Sequence, residues 1–359
     1  MDQNRISIFF VLFHLFGISS YSINTGQKKY IFIWCCFILS LLKIESIFAL
    51  IQSKVFNLHY NASAAYLIFV CLKIVHLVAA WQSIINRRNE ARVFEELTNI
   101  DDLLISKLYQ WIDYGKSRRT IILKTLPTIL TNVYSIALII IALTLFYDTK
   151  TEIPWLWIGS SQLIRLRYVQ YVYIIAIVAE KLKFLKHKCL LILTRKRKNE
   201  IEKLFVFKCV YGKIVNVQND INRFFGWSIL LMIITSLIQI VWVLNWIVLA
   251  LDDGNAIEKM NSVFKFTTVV MPEIFSLASA CKVCQDCEDT ADEITRIVVK
   301  ADGQMFEYKY FLEDFSLQIM QNPIKFSAKG FFSLNLKTFA AMIVTLITQL
   351  FVLLQFSMD

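Results

Sequence analysis

Residues 225–251 read FGWSILLMIITSLIQIVWVLNWIVLAL, and no charged residue interrupts them. About 20 consecutive apolar residues cross a bilayer core roughly 30 Å thick, so this stretch predicts a membrane-spanning helix. Composition extends that reading to the whole chain. Of 359 residues, 57% are hydrophobic and 18% charged, with mean hydropathy +0.54 and only 9 Gly and 4 Pro. Soluble domains carry about a quarter charged residues and more chain breakers. Further apolar runs at 30–52, 62–85, 120–147, 156–180, 263–284 and 331–356 bring the predicted spans to seven. The run at 263–284 is the weakest, because Lys265, Pro272 and Glu273 interrupt it. The N-terminal ISIFFVLFHLFG is too short to span and reads as an interfacial helix.

The basic residues orient these spans, since Lys and Arg concentrate in cytoplasmic connections. Segments 1–29, 86–119, 181–225 and 282–330 hold 28 of the 38 Lys and Arg, against Lys54, Lys150 and Lys259 on the other side. The N-terminus is therefore expected inside and the C-terminus outside, the reverse of a G-protein-coupled receptor. No Asp/Glu-Arg-Tyr motif closes the third span either. None of the eight Cys falls in a predicted outer loop, so no disulfide framework is expected. The sequon Asn61-Ala62-Ser63 does lie in one. From 170 to 225 the helical apolar pattern continues past the bilayer, with RKRK at 195–198 marking a turn between two arms. Residues 285–329 read as two amphipathic helices broken near Asp302-Gly303. The basic run reads as a solvated turn beside anionic headgroups, not as a nucleic-acid site.

Chemistry is sparse. The chain has no Gly-rich phosphate loop, G-x-S-x-G or H-E-x-x-H, and its four His are dispersed, so neither an enzyme nor a cofactor is expected. CKVCQDC at 281–287 resembles the start of an iron–sulfur motif but has no fourth ligand nearby, and helix-packing cysteines are the better reading. Ionisable residues inside the spans then carry the functional interest. Lys124 and Lys265 are expected to snorkel to an interface, whereas Lys73, Arg165 and Glu273 lie deeper, lining a cavity or pairing with one another. Aromatics and amides cluster in the outer halves of the spans: Tyr66, Trp157, Gln162, Trp242, Asn245 and Trp246. Gln239, Trp242 and Trp246 share one helical face. They form either an interfacial belt or an outward-open small-molecule pocket. In the last span Thr338, Thr345, Thr348, Val352 and Gln355 also share one face, which suits polar glue between helices or the lining of a pore.

The closing TQLFVLLQF, 348–356, resembles the signature that ends insect gustatory receptors: Thr, Tyr, five hydrophobic residues, Gln, Phe. Thr348, Gln355 and Phe356 match, and Gln349 stands where the family has Tyr. IKFSAKGFFSLN (324–335), INRFFGWSIL (221–230) and HLFGISSY (14–21) are similar to other elements of the same family. The resemblance implies an all-α, seven-span membrane protein and a ligand-gated, nonselective cation channel. It further implies a homotetramer, alone or with related receptor subunits, in the plasma membrane of sensory neurons. By the same resemblance the partners are a small-molecule tastant, permeating cations and the lipid bilayer, with no metal or nucleic acid. The expected divisions are an N-terminal segment 1–29, a ligand-binding bundle 30–284, anchor helices 285–330 and a pore-lining span with its tail, 331–359. Pore residues would be Thr345, Thr348, Gln349, Val352, Gln355 and Phe356; the pocket would draw on the aromatics and amides above with Arg165 and Glu273. No sugar-receptor signature stands out, which favours a bitter compound or plant metabolite. A co-receptor subunit without its own ligand is the alternative.

Overall fold

The computed structural model describes residues 60–108, 114–145, 155–195, 201–252, 266–301 and 306–357, with isolated positions among 13–41 and 259–264. Most of the N-terminal segment and the first span therefore lies outside the described residues; Tyr30, Ile31, Trp34 and Phe37 are helical there. Low Gly and Pro content leaves little to break a helix, and the chain forms long ones. They are α1 (Tyr60–Ile85), α2 (Arg87–Ser106), α3 (Tyr114–Leu145), α4 (Trp155–Arg195) and α5 (Ile201–Asp252). A π-turn at Phe266–Val270 runs into α6 (Met271–Lys300), followed by α7 (Phe306–Gln321) and α8 (Leu336–Ser357). Between the last two, β1 (Ser327–Ala328) and β2 (Phe332–Ser333) pair antiparallel in a hairpin.

By length and hydropathy the stretches Gly115–Ile141, Glu202–Asn245 and Phe266–Lys300 suit a membrane crossing, with Val70–Ile85 and Leu336–Val352 as shorter apolar helices. α4 carries the span expected at 156–180 with its polarity turned inward: Arg165 and Arg167 are both buried. α5 has 52 residues. At 1.5 Å per residue it is about 78 Å long, more than twice the bilayer core. Its first half therefore extends beyond the lipid, as the pattern from 181 to 225 predicts.

α4 is the central element. Tyr168 through Leu182 are buried almost without exception, against α6 on one side and α3, α1 and α5 on the others. On the basic side the helical extensions are tied by Lys181 to Asp101, by Lys213 to Glu96 (2.7 Å) and by Lys208 to Asp314. The described side chain of Lys124 corrects one expectation. It does not snorkel; it is mostly buried and faces Asp286 (3.7 Å) and Glu180 (4.0 Å). A second correction concerns the junction of the anchor helices, expected to run to 329, with the last span, expected from 331: residues 327–333 form the hairpin and the helix starts at Leu336. The turn at RKRK falls between α4 and α5, largely outside the described residues. All eight cysteines are free, and Cys281, Cys284 and Cys287 are packed between helices, Cys284 against the Tyr171 hydroxyl at 3.6 Å. On the inner extension burial pushes the Cys189 thiol up to about 12, which leaves it a packing group.

Candidate functional site

The interruption that weakens the sixth span organises the interior. Pro272 has no N–H, so the carbonyl of Thr268, four residues earlier, loses its helical donor. The backbone responds with the π-turn, and side chains from two other helices supply donors. Ser135 Oγ of α3 donates to Thr268 O at 2.9 Å, and Arg165 Nη2 of α4 donates to Thr268 O at 3.2 Å and Val269 O at 3.5 Å. Arg165 Nε donates to Glu273 Oε1 at 3.0 Å, and Ser236 Oγ of α5 donates to Glu273 Oε2 at 2.7 Å. Arg165 Nη1 and Gln162 Nε2 both donate to Ser135 Oγ, at 2.5 and 3.2 Å. Arg165 and Glu273 are each 1% exposed, so both charges are desolvated and depend on each other. The network joins α3, α4, α5 and α6 around the break.

Sequence reasoning placed Arg165, Gln162 and Glu273 among the candidates, and the structure brings those three together. It did not foresee Ser135, Ser236 or the Thr268 carbonyl. Gln239 stands one turn outward of Ser236 on α5 and is buried at 2% exposure, with its Nε2 lacking a partner among the described residues. The Oε1 of Gln162 and both ring nitrogens of His76 also have none among them. Trp242 and Asn245 are half-buried farther out, and Trp242 packs on the core. Tyr66, Trp157 and Trp246 lie on α1, α4 and α5, but their side chains fall outside the described residues. A cavity of about 480 Å³ opens elsewhere, between α5 and α7 on the basic side, lined by Cys209, Lys213, Asn216, Gln318 and Asn322 among others. It shares no residue with the outer cluster.

A second buried cluster lies just inward. Arg167 is sandwiched between Phe224 (4.7 Å) and Phe225 (4.4 Å) and donates to Gln170 Oε1 at 2.6 Å. Gln170 Nε2 donates to Glu90 Oε1 at 3.2 Å, which also accepts from Ser19 Oγ at 2.5 Å. Gly226, next along α5, admits the hairpin: a Cβ there would lie 3.3 Å from the backbone Cα of Lys329. The hairpin turns through Lys329 (φ 54°) and Gly330 (φ 84°). Gln218 and Asn222 of α5 both donate to Lys325 O, at 2.6 and 3.0 Å, and Glu288 of α6 accepts the Phe326 N–H at 3.1 Å. Segments 221–230 and 324–335, far apart in sequence, thus supply neighbouring parts of one joint at the foot of α8, and Ser19, the described residue of 14–21, joins the Arg167 cluster through Glu90.

α8 starts cleanly, its Asn335 Oδ1 accepting the Thr338 N–H at 2.9 Å as an N-cap. It then packs on α5 and α6 along a narrow strip; Leu346 is its one described side chain with under a tenth of its surface exposed. Thr345, Thr348, Gln349, Val352 and Gln355 are all exposed, as are Val344, Ile347 and Phe351. The two threonine hydroxyls donate back to Ala341 O (2.9 Å) and Val344 O (3.0 Å) of their own helix. The side chain of Phe356 lies outside the described residues.

A family model described as 7tm Chemosensory receptor matches residues 6–359. This chain belongs to that family. Among Drosophila melanogaster relatives, gustatory receptor 23a is 27% identical over 165 residues, 45% of this chain and 40% of the relative. Gustatory receptor 9a, whose own receptor role is inferred, is 26% identical over 199 residues, 55% of each chain. These alignments span about half or less of the relatives' lengths. The insect olfactory receptor OR5 from Machilis hrabei superposes with TM-score 0.67 at 13% identity, covering 99% of this chain and 100% of that one. Its complex with eugenol gives the same score at 14% identity, over 98% and 97%. At such identity the likeness shows the fold alone, all-α with seven transmembrane helices, and the family model is what makes the chain a chemosensory receptor.

Proposed function

We propose that this receptor is a ligand-gated, nonselective cation channel, opened by a small-molecule tastant that binds among the outer halves of its spans. The observation that carries it is α8, whose exposed stripe holds Thr345, Thr348, Gln349 and Gln355. The two threonine hydroxyls are satisfied within the helix, but the amides of Gln349 and Gln355 would lose several kcal/mol of hydrogen bonding against hydrocarbon, so this face belongs against water or another subunit. Four copies arranged with α8 around an axis give it both. The basic-side extensions, 181–225 and 285–330, would form the anchor through which subunits meet. The expected setting is the plasma membrane of a sensory neuron, with a bitter compound or plant metabolite as ligand. That OR5 was solved with eugenol supports small-molecule binding within this fold.

Orientation tests the arrangement directly. An epitope after Asp359 should label on intact cells, and one before Met1 should label only after permeabilisation, because 28 of 38 basic residues lie on the expected inner side. The opposite pattern would remove the channel reading and restore a G-protein-coupled one.

The pocket is tested separately. Trp242→Ala and Gln239→Ala should each raise the half-maximal ligand concentration by about ten-fold while leaving single-channel conductance unchanged, since an indole beside an amide suits a polar ligand with an apolar body. Parent-like dose–response curves from both variants would return these residues to the interfacial belt.

A further inference from the structure

We propose that the ligand of the outer pocket is an uncharged molecule bearing a hydroxyl group on an apolar body, held between Gln239 and Gln162; this rests on the pocket reading above. The argument begins with what the ionised groups have left to offer. Arg165 directs Nε to Glu273, Nη1 to Ser135 and Nη2 to the Thr268 and Val269 carbonyls. Glu273 accepts from Arg165 with one oxygen and from Ser236 with the other. Lys73, a buried cation on α1, also has an interaction of its own. An ammonium or carboxylate entering here would lose its hydration without gaining a counter-charge, which costs far more than desolvating a neutral group.

The neutral groups are arranged differently. Ser135 has one hydroxyl proton and directs it to Thr268 O, so it can only accept from Gln162. That fixes the amide of Gln162: its NH₂ turns to Ser135, and its Oε1 is left buried without a partner among the described residues. Gln239 presents the complement, an unpartnered Nε2 on a side chain only 2% exposed. Gln162 precedes Arg165 by three residues on a helix running inward, and Gln239 follows Ser236 by three on a helix running outward. Both therefore stand about one turn, roughly 4.5 Å, outward of the Arg165–Glu273–Ser236 network, which links those two helices through Glu273 of α6. One offers an acceptor and the other a donor. A single hydroxyl satisfies both, because one oxygen donates and accepts at once, which an ether, ester or ketone oxygen cannot do.

The test uses the purified full-length receptor in lipid nanodiscs at pH 7 and reads ligand-induced thermal stabilisation. Four probe series share one alkylbenzene body over several chain lengths: the phenol, its methyl ether, the benzoate and the benzylammonium. The phenols should bind best and the ethers about ten-fold or more weakly, since a site built to pair a hydroxyl rejects the analogue lacking it. Both ionised series should bind more weakly still. Gln239→Leu should erase the phenol–ether difference. Unliganded, it should be at least as stable as the parent, because it removes a buried unsatisfied group. Failure of any phenol to bind overturns the proposal. So does an ionised series binding as tightly as the phenols; if that binding is lost in Trp242→Ala, the pocket stands and only the ligand class falls. A phenol preference indifferent to Gln239→Leu, Gln162→Leu and Trp242→Ala places the site elsewhere and removes the pocket reading too.

Discussion

Phe356→Ala should raise basal current several-fold without any ligand. The closing sequence puts an amide and a phenyl ring side by side at the outer end of α8, and neighbouring helix positions point about 100° apart. Gln355 is exposed on the described helix, on the face shared with Thr345, Thr348 and Val352. Phe356 flanks the same face beside Val352 but points about 100° away from Gln355, so the two cannot both point at the axis in one state. A small rotation or splaying of α8 would therefore exchange the ring for the amide at the axis. With the ring inward, the constriction is apolar and closes by dewetting; with Gln355 inward, it is wetted and lined by amide oxygens. Removing the ring removes the closed state's plug. Gln355→Ala should instead change conductance or ion preference with little added leak. Whole-cell current at matched surface expression checks both. Silent Phe356→Ala channels that still respond normally to ligand would make the terminal motif helix glue and place the pore elsewhere.

Arg165→Ala should abolish most surface expression. It leaves Glu273 charged, 1% exposed and held by Ser236 alone among the described residues, and it removes the Nη2 hydrogen bonds to the Thr268 carbonyl opened by Pro272 and to Val269 O. Deleting one partner of a buried ion pair typically costs about 3–5 kcal/mol. That approaches the whole stability of many domains, about 5–15 kcal/mol. Glu273→Gln in the same background neutralises the stranded carboxylate and keeps an acceptor for Ser236, so the double variant should recover part of the expression. Surface biotinylation and thermal stability of the detergent-solubilised receptor measure this. An Arg165→Ala receptor that reaches the surface and melts with the parent would show that the pair is not what holds the four helices together.

Much of this fold is legible in the sequence because the bilayer imposes length and polarity on every span. The uncharged run 225–251 fixes one span, and the continued helical pattern before it anticipates the overlong α5. Arg165 and Glu273 are legible as deep charges that line a cavity or pair, but with Lys73 as a third member only the packing makes Arg165 and Glu273 the pair. Their neutral partners are not legible. A serine such as Ser135 or Ser236 sits in an apolar helix without disturbing its period, and nothing local marks which carbonyl it will meet. Pro272 announces a break, but the choice of a π-turn depends on Arg165 and Ser135 from other helices. The hairpin at 327–333 was missed because its amphipathic residues fit a short helix as well as paired strands. What makes it a hairpin is the approach to Gly226 and the grip of Gln218 and Asn222. Lys124 misled for a related reason: its length suits snorkelling, while Glu180 and Asp286 are brought to it only by packing.

The most direct test of the central claim is current through excised outside-out patches from cells expressing this chain, recorded without GTP in the pipette. A ligand-gated channel needs no soluble messenger, and Phe356→Ala makes the measurement independent of knowing the ligand. The account predicts a standing cation current in Phe356→Ala patches that survives excision and is absent from patches of untransfected cells. Patches with verified surface receptor that stay silent after excision, or that lose their current once GTP is withdrawn, would contradict it.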